Sequence, residues 1–301
     1  MDAERRNLPG RELPTLVPGG GGRARLQRAQ PHLGTIVSIG IRGMRRAAAV
    51  AACDSGFAAV GAVHRLMSFH EAGSDVDRLN CHALEEPVRV HAWTLQVLRF
   101  ALQLAARSEG TFDITVAREL VGRGALPRPK SKWDAEAGAS WCDIELLDDA
   151  VRFHRPLWID LGGIAKGFAV DRALTNMPLE PHAAACVNAG GDLRVCGPGM
   201  QPVWLRVAPD DGLAPVAMLH EGSLASSSGI DTDIAHLHGQ DRTPMGQDCF
   251  VSVLAGQCMA ADALTKVVMA MPAQADAILR SYGATAHLYC QREWRALGAA
   301  A

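Results

Sequence analysis

Ile159-Asp160-Leu161-Gly162-Gly163-Ile164-Ala165-Lys166-Gly167-Phe168-Ala169-Val170-Asp171 joins three local signals in thirteen residues. Trp158 to Leu161 is mostly apolar and reads as the end of a buried strand. Gly162-Gly163 permits a tight turn, because no Cβ stands in the way. From Ile164 the spacing of Ile164, Phe168 and Arg172-Ala173 suits an amphipathic helix. Strand, turn and helix start together aim several backbone N–H groups at one spot. An anion can sit there, and Lys166 adds a full positive charge. The other reading is a plain strand-to-helix turn with a solvated lysine. The run matches neither G-x-G-x-x-G nor G-x-x-x-x-G-K-[ST], so the common nucleotide fingerprints do not apply.

Working outward, strands cluster on both sides of this stretch. Asp143 to Leu147 and Val151 to His154 form a hairpin. Ala183 to Asn188 and Leu193 to Cys196 flank the turn Ala189-Gly190-Gly191-Asp192. Val203 to Ala208, Val216 to His220 and Cys249 to Leu254 add strands, and Thr285 to Tyr289 is the last. Ser223 to Gly229, made of small residues, reads as a turn. Helices lie outside this cluster: Arg45 to Leu66, a short one capped by Ser74, and Trp93 to Ser108. Gly110 to Val116 reads as a turn into extended chain. A further helix opens at Ala261, with Asp262 in its first turn, and another runs near Ala273 to Ser281. The order is not a regular β-α-β alternation. It predicts an α+β fold with mixed or antiparallel sheets packed with helices.

Residues 1–30 read as a flexible arm, rich in Gly, Pro and Arg. Folded sequence is predicted from His32, with a strand over Leu33 to Ile41. Residues 31–301 make the folded domain, with room for two subdomains. The formal net charge is −2, so nothing in the global balance points to nucleic acid. The eight cysteines include no C-x-x-C pair, and buried free thiols are expected. Ala47 to Val63 is too alanine-rich, and too interrupted by Asp54, to read as a membrane span. No apolar leader and no lipobox cysteine stand near Met1, so the chain reads as cytoplasmic.

Several motifs in one order resemble a known family, the FAD:protein FMN transferases or ApbE-like flavin transferases. They are Ile159 to Gly167, Val187-Asn188-Ala189-Gly190-Gly191-Asp192, Gly110 to Val116 and Ala261-Asp262-Ala263-Leu264. Leu33-Gly34-Thr35, Met67-Ser68 and Arg78-Leu79-Asn80 agree in order and approximate spacing. The resemblance covers about Leu33 to Ala270. It implies an ApbE-like, T-fold-like domain that moves the FMN half of FAD onto a Thr or Ser hydroxyl of an acceptor protein. AMP leaves, and Mg²⁺ is required. Cleavage of FAD to FMN and AMP by water, or FAD binding without catalysis, are the alternatives.

The resemblance also implies roles. Lys166 and the Gly162-Gly163 turn hold the FAD pyrophosphate. Leu33, His70, Thr111, Phe112, Asp113 and Asp160 line the FAD site. The Gly163 carbonyl, the Asp262 carboxylate and Thr265 hold the metal. The family often has a hydroxyl ligand four residues after the aspartate, and here that position is Lys266. His70 stands where the family often has a stacking Tyr. The family's His-x-x-Asp-Pro-Arg-Thr-Gly run becomes His238-Gly239-Gln240-Asp241-Arg242-Thr243-Pro244. His238 is the expected base for the incoming hydroxyl, with His236 next in line.

Overall fold

The computed structural model describes residues 25–205, 214–229, 236–246, 248–291 and 293–298. The chain begins with a hairpin, β1 (Leu26–His32) and β2 (Thr35–Arg42), followed by α1 (Arg46–Met67) and α2 (Asp75–His82). Next come β3 (Val88–Arg89), α3 (Ala92–Arg107), a 3-10 turn at Ile114–Val116 and α4 (Ala117–Gly122). β4 (Ile144–Leu146) and β5 (Ala150–Phe153) precede α5 (Ala165–Asn176). β6 (Ala184–Ala189), β7 (Asp192–Cys196), β8 (Gln201–Leu205), β9 (Ala214–Leu219) and β10 (Gly222–Ser228) follow. The last third holds β11 (His236–Leu237), β12 (Pro244–Met245), β13 (Cys249–Ala255), α6 (Cys258–Ala270), α7 (Ala275–Ser281), β14 (Thr285–Cys290) and β15 (Glu293–Leu297).

Eight strands form the main sheet, in the order β1-β2-β6-β7-β10-β13-β14-β15, and every neighbouring pair is antiparallel. Side chains alternate between its faces. Val37, Ile39, Ile41, Val187 and Ala225 point to the face covered by α1, α5 and α6. Leu193, Val195, Leu224 and Phe250 point the other way, into a smaller cluster with Val203 and Leu219 of the β8–β9 hairpin. A three-stranded sheet, β3-β5-β4, stands apart. The α+β architecture with antiparallel sheets is therefore present.

By length and composition alone α1 is a weak candidate for crossing a bilayer, the one such helix among the described residues. Here it packs Ala49, Ala52, Cys53, Phe57, Val60 and Val63 into the core.

Several local expectations are corrected. Residues 26–30, assigned to the arm, are strand. β1 turns alternate residues inward onto α1, where Arg28 pairs with Asp54 and His32 stacks on Phe57. Its polar composition concealed it, and Leu33-Gly34 is the hairpin turn, both residues at positive φ. The remainder of the arm, like part of the polar segment around Asp231, lies outside the described residues. Ser223 to Ser228 is not a turn but β10, in the middle of the sheet. Its small side chains let α6 approach, and Ser227 Oγ meets Thr265 Oγ1 at 2.7 Å. Gly110 to Val116 does not extend; Asp113 caps the 3-10 turn by accepting from Thr115 N at 2.9 Å. β15 follows the strand expected to be last. Cys249 and Cys290 face each other across β13 and β14 and are joined in a disulfide, so two of the thiols are not free.

The largest correction concerns Trp158 to Leu161. Trp158, Ile159 and Leu161 are buried, yet the segment forms no strand and no described strand pairs with it. The side chain of Asn80 takes a strand's place. Ile159 N donates to Asn80 Oδ1 at 2.8 Å, and Asn80 Nδ2 donates to Ile159 O at 3.0 Å. Asp160 N donates to Ile114 O at 2.8 Å. Buried backbone groups need partners, and here a residue on α2 provides both.

Candidate active site

α5 and α6 cross where α5 has no room for a side chain. A Cβ on Gly167 would stand 2.3 Å from the Cys258 carbonyl oxygen and 2.8 Å from Asp262 Cβ. This closeness lets Gly167 N donate to Asp262 Oδ2 at 3.1 Å. α6 begins at Cys258, so Asp262 is in its second turn, not its first as the sequence suggested. The acid at the helix start comes from elsewhere. Asp171 on α5 accepts from Cys258 N at 3.0 Å and Met259 N at 2.9 Å, and pairs with Arg194 at 2.7 Å. It satisfies two of the unpaired N–H groups of the α6 N-terminus and complements its dipole.

Around Asp262 two lysines converge. Lys266 Nζ donates to Asp262 Oδ1 at 2.5 Å and to the Asp262 carbonyl at 3.0 Å. Lys166 Nζ lies 3.7 Å from Asp262 Oδ2 and bonds Asp192 at the start of β7. Asp262 is 1% exposed and Lys266 9%. Burial works against ionisation of Asp262. Lys166, Lys266 and the Gly167 amide outweigh it and hold the carboxyl at about 2. Burial, and then the charge of Asp262, push Asp192 upward against the pull of Lys166. Lys166 is half-buried, with 32% of its side chain exposed; burial works against its charge, but the two carboxylates raise it above the usual lysine value.

The Gly162-Gly163 turn closes over this cluster. Asp160 accepts from the Gly162 and Leu161 amides, and burial pushes its carboxyl upward. A Cβ at Gly163 would stand 3.4 Å from Lys266 Cε and 4.0 Å from the Phe112 ring. The exposed His70 lies close enough to bear on the Asp160 charge. Leu33 is at the tip of the β1–β2 hairpin. The adjoining Thr35 would touch a Cβ on Gly190, beside Asp192. The structure thus gathers Phe112, Asp160, Gly163, Lys166 and Asp262, with Leu33 and His70 at the margin.

The two histidines separate. His236 is bonded to the Ser228 backbone and lowered to about 4, by burial first and then by Lys266 and Lys166. It belongs to the charged cluster. His238 does not: its Nδ1 accepts from Gln240 N at 3.3 Å and lies 3.4 Å from Asp241. With Thr111, Glu109, Gln240 and Met271 it lines an open groove of about 430 Å³. Asp113 has its own work within the fold. Besides capping, it pairs with Arg242 at 3.0 Å, and Gly239 N donates to Thr111 O at 2.8 Å. These bonds fasten the His238 loop to the 110–116 segment.

The metal ligands implied by the resemblance do not fit a divalent ion. Lys266 and Lys166 stand at the Asp262 oxygens. Thr265 is wholly buried, with its hydroxyl on the Asp262 carbonyl at 2.6 Å and on Ser227. Among the described residues, no three His, Cys, Asp or Glu side chains are grouped as a metal would need. A hard cation needs oxygen donors, not ammonium neighbours.

Lys266 and Asp192 were missing from the expected site. Each left a signal: a lysine four residues after an acid in an otherwise apolar helix, and the acid closing Asn188-Ala189-Gly190-Gly191-Asp192.

Comparison with known proteins identifies the family of the chain. The model of the ApbE family matches residues 33–288. The chain belongs to the ApbE family. An FAD:protein FMN transferase of Vibrio cholerae serotype O1 is 28% identical over 233 residues, 69% of this chain and 70% of that protein. One from Treponema pallidum is 27% identical over 195 residues, 59% of this chain and 54% of that protein. An ApbE protein of Thermotoga maritima has a solved structure that superposes with a TM-score of 0.75. It is 22% identical and covers 90% of this chain and 96% of its own. That likeness speaks for the ApbE fold.

Proposed function

We propose that this chain is an FAD:protein FMN transferase, moving the FMN half of FAD to a Thr or Ser hydroxyl of an acceptor protein and releasing AMP. One observation carries the reading: two ammonium groups, Lys166 and Lys266, meet at Asp262, Lys266 runs beside Gly163 of the glycine turn, and both charges bear on the nearby imidazole of His236. A pyrophosphate needs that kind of preset positive charge. Family membership and the names of the relatives support the same reaction.

In this reading the acceptor oxygen attacks the FMN-side phosphorus. A new P–O bond forms, the bond to the bridging oxygen breaks, and its electron pair leaves with AMP. The hydroxyl proton passes to His236. Lys166 and Lys266 offset charge on the phosphate oxygens. No step is routed through Mg²⁺, because the donor set at Asp262 does not fit one.

Incubation with FAD and a candidate acceptor should add an FMN mass to one Thr or Ser, read by intact-protein mass spectrometry. AMP release without an adduct would favour hydrolysis by water, and unaltered FAD would favour a binding protein. His236→Gln should slow transfer by about 10²–10⁴-fold, with FAD affinity little changed. His236 must be neutral to take a proton, and its lowered value keeps it so down to about pH 4. The wild-type rate should therefore fall only as pH drops through that value, and the Gln variant should lack this limb. If His238→Gln alone slows transfer, the base is His238.

A further inference from the structure

We infer that Lys266 takes the place of a divalent cation at the Asp262 carboxylate, so that this chain meets the FAD pyrophosphate with ammonium charge alone. The inference rests on the transferase reading for the identity of the anion, but not for the state of the Asp262 site.

Three observations carry it. Lys266 leaves Asp262 by the same helix face, four residues on, and its Nζ bonds both the carboxylate and the carbonyl of that residue. Those contacts use two of its three N–H donors, and its side chain runs beside Gly163, where the turn presents its backbone. The third donor is thus available next to the expected phosphate position. Next, Lys166 stands on the other carboxylate oxygen, so a divalent ion would be placed against two like charges. Finally, the nearest hydroxyl, Thr265, is turned into the protein and bonded to Ser227 and to the Asp262 carbonyl. A metal would have to expel Lys266, break the Thr265 bonds and shed part of the water shell that Mg²⁺ surrenders reluctantly.

An ammonium carries half the charge of Mg²⁺. What it offers in exchange is a charge covalently fixed in position, needing no ion from solution. Lys166 completes the pair, so two single charges flank the turn.

Two measurements test this on the full chain. Mn²⁺ binding is read by electron paramagnetic resonance, and FAD affinity by equilibrium dialysis in EDTA and in excess Mg²⁺. The wild type should give no site-bound Mn²⁺, and its FAD affinity should be the same in both buffers. Lys266→Met should weaken FAD by about tenfold or more in both. Lys266→Thr, with an oxygen in place of the ammonium, should bind Mn²⁺ and recover FAD affinity only with Mg²⁺. Stoichiometric Mn²⁺ bound to the wild type and displaced by Mg²⁺ would overturn the inference. So would a wild-type FAD affinity, or FMN transfer, that collapses in EDTA. If neither transfer nor hydrolysis appears in any buffer while the Mn²⁺ and FAD patterns hold, the transferase reading falls and the role of Lys266 stands. If FAD does not bind at all, the Mn²⁺ contrast between wild type and Lys266→Thr decides alone.

Discussion

Asp262→Ala should lower the free energy of unfolding by about 3–5 kcal/mol, as expected when one partner of a buried ion pair is removed. The carboxylate receives Lys266, Lys166 and the Gly167 amide in a nearly closed site. Without it the buried Lys266 ammonium loses its carboxylate, and Lys166, half-buried, keeps only Asp192. Urea denaturation would measure the loss. The double change Asp262→Ala with Lys266→Met should regain part of it, because the orphaned charge is removed as well. The pH dependence has a definite sign. Asp262 is held at about 2, below its ordinary 3.8, so its contribution is fully present above 3.8 and disappears as pH falls through about 2. The stability gap between wild type and Asp262→Ala should therefore close in strong acid. A loss below about 1 kcal/mol at neutral pH would mean that Asp192 and Asp160 neutralise the lysines unaided.

Gly167→Ala should be nearly as damaging. Its Cβ would fall 2.3 Å from the Cys258 carbonyl oxygen, which is backbone and cannot rotate away. α5 and α6 would have to part by about an ångström, at a cost at the upper end of the 1–3 kcal/mol typical of overpacking. The parting would also lengthen the Gly167 to Asp262 bond. We expect a lower urea midpoint together with weaker FAD binding. Gly122→Ala serves as the control, since a Cβ there meets nothing within 4 Å in α4. That substitution should be neutral or stabilising by a few tenths of a kcal/mol. A Gly167→Ala protein as stable as the control would show that the helices can part freely.

What was legible in the sequence was local. The Ser74 cap is real, with Asp77 N on Ser74 Oγ at 3.0 Å, and the hairpins around Asp148 and Gly190 form as expected. The glycine turn, Lys166 and Asp262 were found and do meet. The misreadings share a cause, since each depends on a partner remote in the chain. The apolar run ending at Leu161 looked like strand because nothing near it discloses that Asn80, on α2, supplies its hydrogen bonds. The serines of β10 looked like a turn because their small size answers to α6, about forty residues later. The structural work of Asp113 was hidden because its partner, Arg242, lies 129 positions away. What sets His236 apart from His238 is burial and the charge of two lysines, which no spacing rule encodes.

Asp171 holds a consequence of its own. By accepting from the first two amides of α6, it sets the rotational phase of that helix as well as its starting point. Each residue of an α-helix advances the azimuth by about 100°. A slip of one residue at Cys258 would swing Lys266 away from Gly163 and bring an uncharged neighbour, Thr265 or Val267, toward the turn. Asp171 belongs to α5, the helix that also carries Lys166. One carboxylate thus acts as an index pin between two shafts, keeping the two ammoniums aimed at the same point.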